Sequence, residues 1–157
     1  MLFFRALISL LLLPGTFAGL IPAWIVSSDP WRGQGIFVGF ALLTVGIAIL
    51  LWTVQDFYVS GKGTLAPWDP PKHLVTVGLY RFTRNPMYVG ILLLLVGWSL
   101  LTASPLLAGY TLFMAIAFHL RVVLYEEPRL KKQFGEEWAS YAAKVPRWLS
   151  PLGRRIR

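Results

Sequence analysis

The sequence predicts an all-α, polytopic membrane protein with about four transmembrane helices and a C-terminal amphipathic helix on the cytoplasmic side. Three observations carry that expectation. Hydrophobic residues make up 56% of the 157 and charged residues 14%, with mean hydropathy +0.61, which is more apolar and less charged than soluble domains are. The apolar residues fall in long runs separated by short polar turns. The 15 Lys and Arg, which leave a net charge of +8, flank those runs and form no stripe on a soluble face. That arrangement argues against a nucleic-acid partner and for anchoring beside anionic lipid. The length fits one domain, and the absence of cysteine excludes disulfides, thiolate metal sites and a cysteine nucleophile.

The first run, residues 6–26, is interrupted by Pro14 and Pro22. A cleaved signal peptide is the rival reading, but the charged region ahead of it is very short, so a retained first span is expected. A polar turn with Asp29 and Arg32 leads to residues 36–54, an uncharged run long enough to cross the hydrocarbon core. Residues 57–86 form the one long connection, in which Gly61-Lys62-Gly63 and Pro67-Trp68-Asp69-Pro70-Pro71 prevent regular structure. It lacks the Walker spacing of a phosphate loop. Trp68 suits either a packed loop over a ligand or the interfacial aromatic belt.

Residues 87–103 form the third span, and Thr102-Ala103-Ser104-Pro105 reads as a reversal with Ser104 as N-cap. The fourth span, 105–125, passes His119 and Arg121. From Glu126 the pattern turns amphipathic: Leu130, Phe134, Trp138, Tyr141 and Val145 share a stripe opposite Lys131, Lys132, Glu136, Glu137 and Lys144. Pro146 ends that helix, and 147–157 is a basic tail. Positive-inside logic puts the 57–86 loop and both termini in the cytoplasm, leaving only Arg32 outside.

The element joining these parts is Gly78-Leu79-Tyr80-Arg81-Phe82-Thr83-Arg84-Asn85-Pro86-Met87-Tyr88-Val89-Gly90. Asn85 precedes a proline and is pushed out of the helical region, while Pro86 suits a first helical turn. The product is a cationic elbow at the mouth of a membrane helix. There Arg84 can hold a carboxylate in a two-pronged grip, or Arg81 and Arg84 can be plain interface anchors.

The elbow, then Glu126-Glu127, then Phe134-Gly135-x-x-Trp138-x-x-Tyr141-x-x-x-Val145-Pro146, resembles the integral-membrane methyltransferases. These include the isoprenylcysteine carboxyl methyltransferases and the phospholipid (phosphatidylethanolamine) N-methyltransferases. The resemblance covers residues 60 to 150, and the elbow alone is also similar to an element of membrane sterol reductases. It implies S-adenosyl-L-methionine as cofactor and a lipid-like or prenylated acceptor arriving from the bilayer. It places Arg84, Pro86, Tyr88 and Glu127 in the cofactor pocket, with Tyr80, Asn85, Gly90 and Glu126 as further candidates from the same motifs.

The residues agree with that chemistry. Displacement from an activated sulfonium needs no metal; it needs positioning and a dry site. Arg84 offers a cation for the cofactor's carboxylate and Glu126-Glu127 an anion for its ammonium. Arg121 and Arg147 are candidates for gripping an anionic acceptor, or else interface anchors. No metal site is expected from His73 and His119, and no Rossmann or Gly-x-Ser-x-Gly motif is present. Where the family often has histidine this chain has Asn85, which cannot serve as a base; this favours carboxyl methylation over an amine acceptor. The alternatives are a phospholipid N-methyltransferase, a small membrane reductase using NADPH, and a non-catalytic four-helix protein.

Overall fold

The computed structural model describes residue 12, residues 14–61 and residues 72–149. The start of the first expected span, Trp68 with most of its Pro-rich segment, and the tail beyond Leu149 lie outside the described residues. Among the described residues every regular element is helical.

A π-helical stretch, Thr16–Leu20, leads into α1 (Ile21–Ser28). α2 spans Val38–Asp56 and runs on through a π-helical turn, Phe57–Gly61. A 3₁₀ turn, Gly78–Arg81, precedes α3 (Pro86–Thr102). α4 (Pro105–Arg121) passes through a π-helical stretch, Val122–Glu126, into α5 (Glu127–Lys144). The expected boundary at residue 126 is therefore not a break: the last span and the amphipathic helix are continuous. The chain turns instead at Gly135, whose φ of 53° and ψ of −120° lie outside helical space. That conformation suits glycine alone.

Two helices are long and apolar enough to cross a membrane, Val38–Gly61 and Pro105–Lys144. The other two apolar helices, Thr16–Ser28 and Pro86–Thr102, are shorter. Sharp ends limit α3 to 17 residues: Pro86 starts it and Ala103, left-handed at φ 43°, stops it.

α2 and α3 are antiparallel and in near backbone contact. A Cβ on Gly39 would lie 2.6 Å from the Gly97 carbonyl oxygen, and one on Gly46 would lie 2.9 Å from that of Gly90. Glycines seven apart on each helix thus face each other in reverse order, and van der Waals packing and Cα–H contacts replace side chains there. Gly33 N and Ile36 N extend the seam by donating to Thr102 O at 3.0 Å and Leu100 O at 2.9 Å. Beside it the core gathers Leu50, Tyr88, Ile91, Leu94, Leu95, Met114, Phe118 and Val122.

At the α3–α4 hairpin Ser104 is the expected N-cap, accepting from Leu107 N at 3.1 Å. Its hydroxyl also donates to Asp29, which accepts from Trp31 N at 2.9 Å and Leu106 N at 3.2 Å. Burial pushes the Asp29 carboxyl up, but these hydrogen bonds and Arg32 more than offset it and hold it below the usual range. Asp29 thereby fastens the turn after α1 to the hairpin.

The seam makes a paired prediction for thermal unfolding in detergent. Gly46→Val drives a side chain into the α3 backbone and will cost about 1–3 kcal/mol, as overpacking does. Gly109→Ala, at a helical position with nothing within 4 Å, will be neutral or stabilising by up to about 1 kcal/mol. Equal responses from the two would contradict the close approach.

Candidate active site

The site is built where the C-terminal segment folds back on the elbow. Asn85 (φ −130°, ψ 51°) stands outside the helix as the residue before a proline must, so Arg84 and Asn85 project at the start of α3. Arg84 N donates to Pro146 O at 2.9 Å. Thr83 Oγ1 and Asn85 Nδ2 donate to Arg147 O at 3.1 Å and 3.0 Å. Tyr141 OH donates to Tyr80 O at 2.7 Å. Trp138, Tyr141 and Val145 are buried with Leu74, Leu130 and Phe134, so the amphipathic stripe packs on the elbow side of the molecule.

Glu127 is the electrostatic centre of this closure. Arg147 donates to both its oxygens, Nε at 2.8 Å and Nη2 at 2.7 Å, and Arg84 Nη1 lies 3.1 Å away. Hydrogen bonds from Arg147 hold the Glu127 carboxyl below the usual carboxylate range, and Glu127 in turn raises Arg147. Burial lowers Arg84 despite its partner. The Arg84 guanidinium sits 5.4 Å from the centre of the Trp138 ring, and among the described residues its buried Nε has no hydrogen-bond partner. A buried, unpaired donor is costly unless something else meets it.

The second carboxylate has its own partners. Tyr88 OH donates to Glu126, and Arg121 Nε donates to Tyr88 OH at 3.1 Å and to Glu126 Oε1 at 2.8 Å. The Tyr88 ring packs on Phe118 at 4.5 Å. His119 Nδ1, at the same end of α4, accepts from Trp148 Nε1 at 3.1 Å, so this histidine bonds to the segment after α5.

Between these groups lies a small cleft of about 100 Å³. Arg84, Asn85, Tyr88 and Glu126 give it one polar wall, and Phe57, Leu74, Val75, Met87 and Leu130 an apolar one. Tyr80, Trp138 and Tyr141 supply aromatic faces. Three arginines, at 84, 121 and 147, face two carboxylates, at 126 and 127, which leaves the neighbourhood one positive charge in excess.

Tyr80, Arg84, Asn85, Tyr88 and Glu126 all line this one cleft. Pro86, Glu127, Arg121 and Arg147 lie behind it, with the two rear arginines engaged on Glu126 and Glu127. Gly90 is elsewhere, against Gly46 in the α2–α3 seam. Trp138 and Tyr141 were expected only as packing surface, yet they roof the cleft. Their signal was their spacing ahead of Val145-Pro146, which returns the chain to the elbow. Among the described residues no cluster of three His, Asp or Glu could hold a metal ion.

A family model described as phospholipid methyltransferase matches residues 35–137. The chain is 36% identical over 73 residues to protein-S-isoprenylcysteine O-methyltransferase B of Arabidopsis thaliana, covering 46% of this chain and 37% of that protein. It is 40% identical over 111 residues to a probable protein-S-isoprenylcysteine O-methyltransferase of Oryza sativa subsp. indica, covering 69% and 58%. It is 33% identical over 132 residues to a methanethiol S-methyltransferase of Pseudomonas sp. (strain GM41(2012)), covering 79% and 48%. The chain therefore spans less than two thirds of the length of each of these relatives. No solved structure matches.

The Glu127 clasp has a pH signature. Its folded pKa lies below the unfolded value of about 4.3, so its contribution is complete above that pH and is lost as pH falls through the depressed folded value. Glu127→Gln will destabilise the protein at neutral pH by on the order of 1–3 kcal/mol and flatten the acid limb of the stability profile. Thermal unfolding against pH reads both, and an unchanged acid limb in the variant would contradict the clasp.

Proposed function

The chain belongs to the phospholipid methyltransferase family, and on that premise we propose that it transfers a methyl group from S-adenosyl-L-methionine to a hydrophobic, membrane-resident acceptor. The observation that carries the reading is Arg84, buried against Trp138 with an unpaired Nε, facing a cleft that also holds the Glu126 carboxylate. The residues present fit the cofactor: a guanidinium for its carboxylate, a carboxylate for its ammonium, and aromatic faces for its ring and its sulfonium. When bound, the cofactor supplies an activated methyl group that needs no metal to leave.

The chain's own work is binding and orientation. Arg84 would take the carboxylate end, with Trp138 stacked on its guanidinium to keep that cation in place. Glu126, fixed by Tyr88 OH and Arg121 Nε, would take the ammonium. Arg147 and Arg121 are positioning residues in this account, because each holds a carboxylate of the chain itself. The apolar wall of Phe57, Leu74, Val75, Met87 and Leu130 would take the acceptor's hydrocarbon and exclude water from the reacting atoms.

Isoprenylcysteine carboxyl methylation is the acceptor chemistry this site suits best. A carboxylate brings its own nucleophilic oxygen and needs no base, and Asn85, which donates to Arg147 O, offers none. The relatives named as isoprenylcysteine O-methyltransferases support the same choice.

The proposed topology has four spans, α1 and α3 crossing beside the two longer helices, with both termini and the cleft cytoplasmic. With no native cysteine, single cysteines can report it. Cysteine at Ser28 or Ala103 will label from the outside of sealed vesicles, and cysteine at Lys72 or Lys144 from the cytoplasmic side. Labelling of all four from one side would refute the topology.

Calorimetry with S-adenosylhomocysteine on detergent-purified protein tests the cofactor. Binding in the micromolar range is expected, weakened at least about tenfold in Arg84→Ala, the loss of a hydrogen-bonded charge pair being worth about 1.5–3 kcal/mol. Glu126→Ala is expected to weaken it similarly. Absence of binding by folded protein, or binding indifferent to both substitutions, would overturn the assignment.

A further inference from the structure

We propose that the outer face of the α4–α5 junction binds an anionic phospholipid that is not the methyl acceptor. Tyr125 lies at the centre of this face. Its ring is flanked one helical turn to each side by an arginine: the Arg121 guanidinium carbon lies 5.7 Å from the ring centre and that of Arg129 lies 5.9 Å from it. Arg129 Nη1 also donates to Tyr125 OH at 3.3 Å. The ring, 51% exposed, brings the two cations into one ladder on the surface.

The ladder has spare donors. Arg121 is oriented from inside by its Nε, which is bonded to Tyr88 OH and Glu126, and its side chain is 44% exposed. Among the described residues its terminal nitrogens reach no acceptor, and Arg129 forms no ion pair. The remaining donors, the terminal nitrogens of Arg121 and Nη2 of Arg129, match the oxygens of a phosphate.

What makes the phosphate a lipid's is the surface next to it. Leu112, Ile116, Leu120 and Leu124 recur every fourth residue along α4 and into the junction, 64%, 53%, 48% and 71% exposed. They form one apolar stripe that ends at the ladder. An acyl chain laid on the stripe puts its headgroup at Arg121, Tyr125 and Arg129, as a basic-aromatic group at a membrane–water boundary requires. Tyr125, Arg129 and Leu124 do not line the cleft, so the site opens outside the one proposed for catalysis and shares with it only Arg121, whose Nε holds Glu126. It depends on the chain lying in a membrane and not on the methyl-transfer reading.

Native mass spectrometry of the full chain in detergent, titrated with dioleoyl-phosphatidylglycerol or dioleoyl-phosphatidylcholine, tests it. The anionic lipid is expected to bind about thirtyfold tighter, from attraction of about 1 kcal/mol for each of the two arginines near the surface. Arg129→Gln will cut that preference about fivefold and Tyr125→Leu will weaken it by breaking the ladder, while Lys132→Gln, on the same helix but outside the ladder, will retain it. Inorganic phosphate alone will not displace the lipid. Thermal unfolding of Arg129→Gln checks that the variant is folded, and calorimetry with S-adenosylhomocysteine, read separately, keeps a failure of the cofactor assignment distinct. Equal binding of the two lipids, equal loss in Arg129→Gln and Lys132→Gln, or displacement by phosphate would each overturn the proposal.

Discussion

Glu127 is the point through which the two halves of the site are joined. It sits at the start of a helix continuous with the membrane span and takes Arg147 in a two-pronged bond and Arg84 on one side. Arg84 comes from the elbow before α3, and Arg147 from the segment after α5. A single carboxylate therefore ties together three stretches that are far apart in the chain. Without it, two arginines would share a confined space with no compensating charge, a costly arrangement at low exposure. The backbone bonds from Arg84 N, Thr83 and Asn85 to Pro146 and Arg147 hold the same closure independently of charge. The closure brings Trp138 and Tyr141 onto the elbow, where both line the cleft.

The glycine seam has a related role at a distance. By letting α2 and α3 approach to backbone contact, it fixes the depth at which α3 begins, and hence where Arg84 and Asn85 stand. Asp29 does the same at the opposite end, tying the turn after α1 to the α3–α4 hairpin. The apolar helices are thus held by close backbone packing and one buried carboxylate, as expected where lipid gives no hydrophobic drive for helix association.

Much of this was legible in the sequence, and for local reasons. Pro86 and Pro105 mark helix starts, and Ser104 caps where its position says it should. The chemistry-bearing set of Tyr80, Arg84, Asn85, Tyr88 and Glu126 converges because the α3–α4 hairpin is short. What stayed hidden depends on partners remote in sequence. Gly90 reads as part of the elbow, but its neighbour is Gly46, and only antiparallel pairing of two helices could show that. Arg121 and Arg147 read as free cations, but each is engaged by a carboxylate on another turn or segment. The continuous helix through Val122–Glu126 was masked by Pro128, which a helix tolerates in a first turn and, here, just after a π-helical stretch.

The central claim is that the elbow and the returning C-terminal segment form one cofactor cleft. Hydrogen–deuterium exchange with and without S-adenosylhomocysteine tests it most directly. The account predicts that ligand slows exchange together in residues 80–90 and 126–148, and leaves the α3–α4 hairpin around Ser104 unchanged. Protection confined to one of those segments, or centred on other parts of the chain, would contradict it.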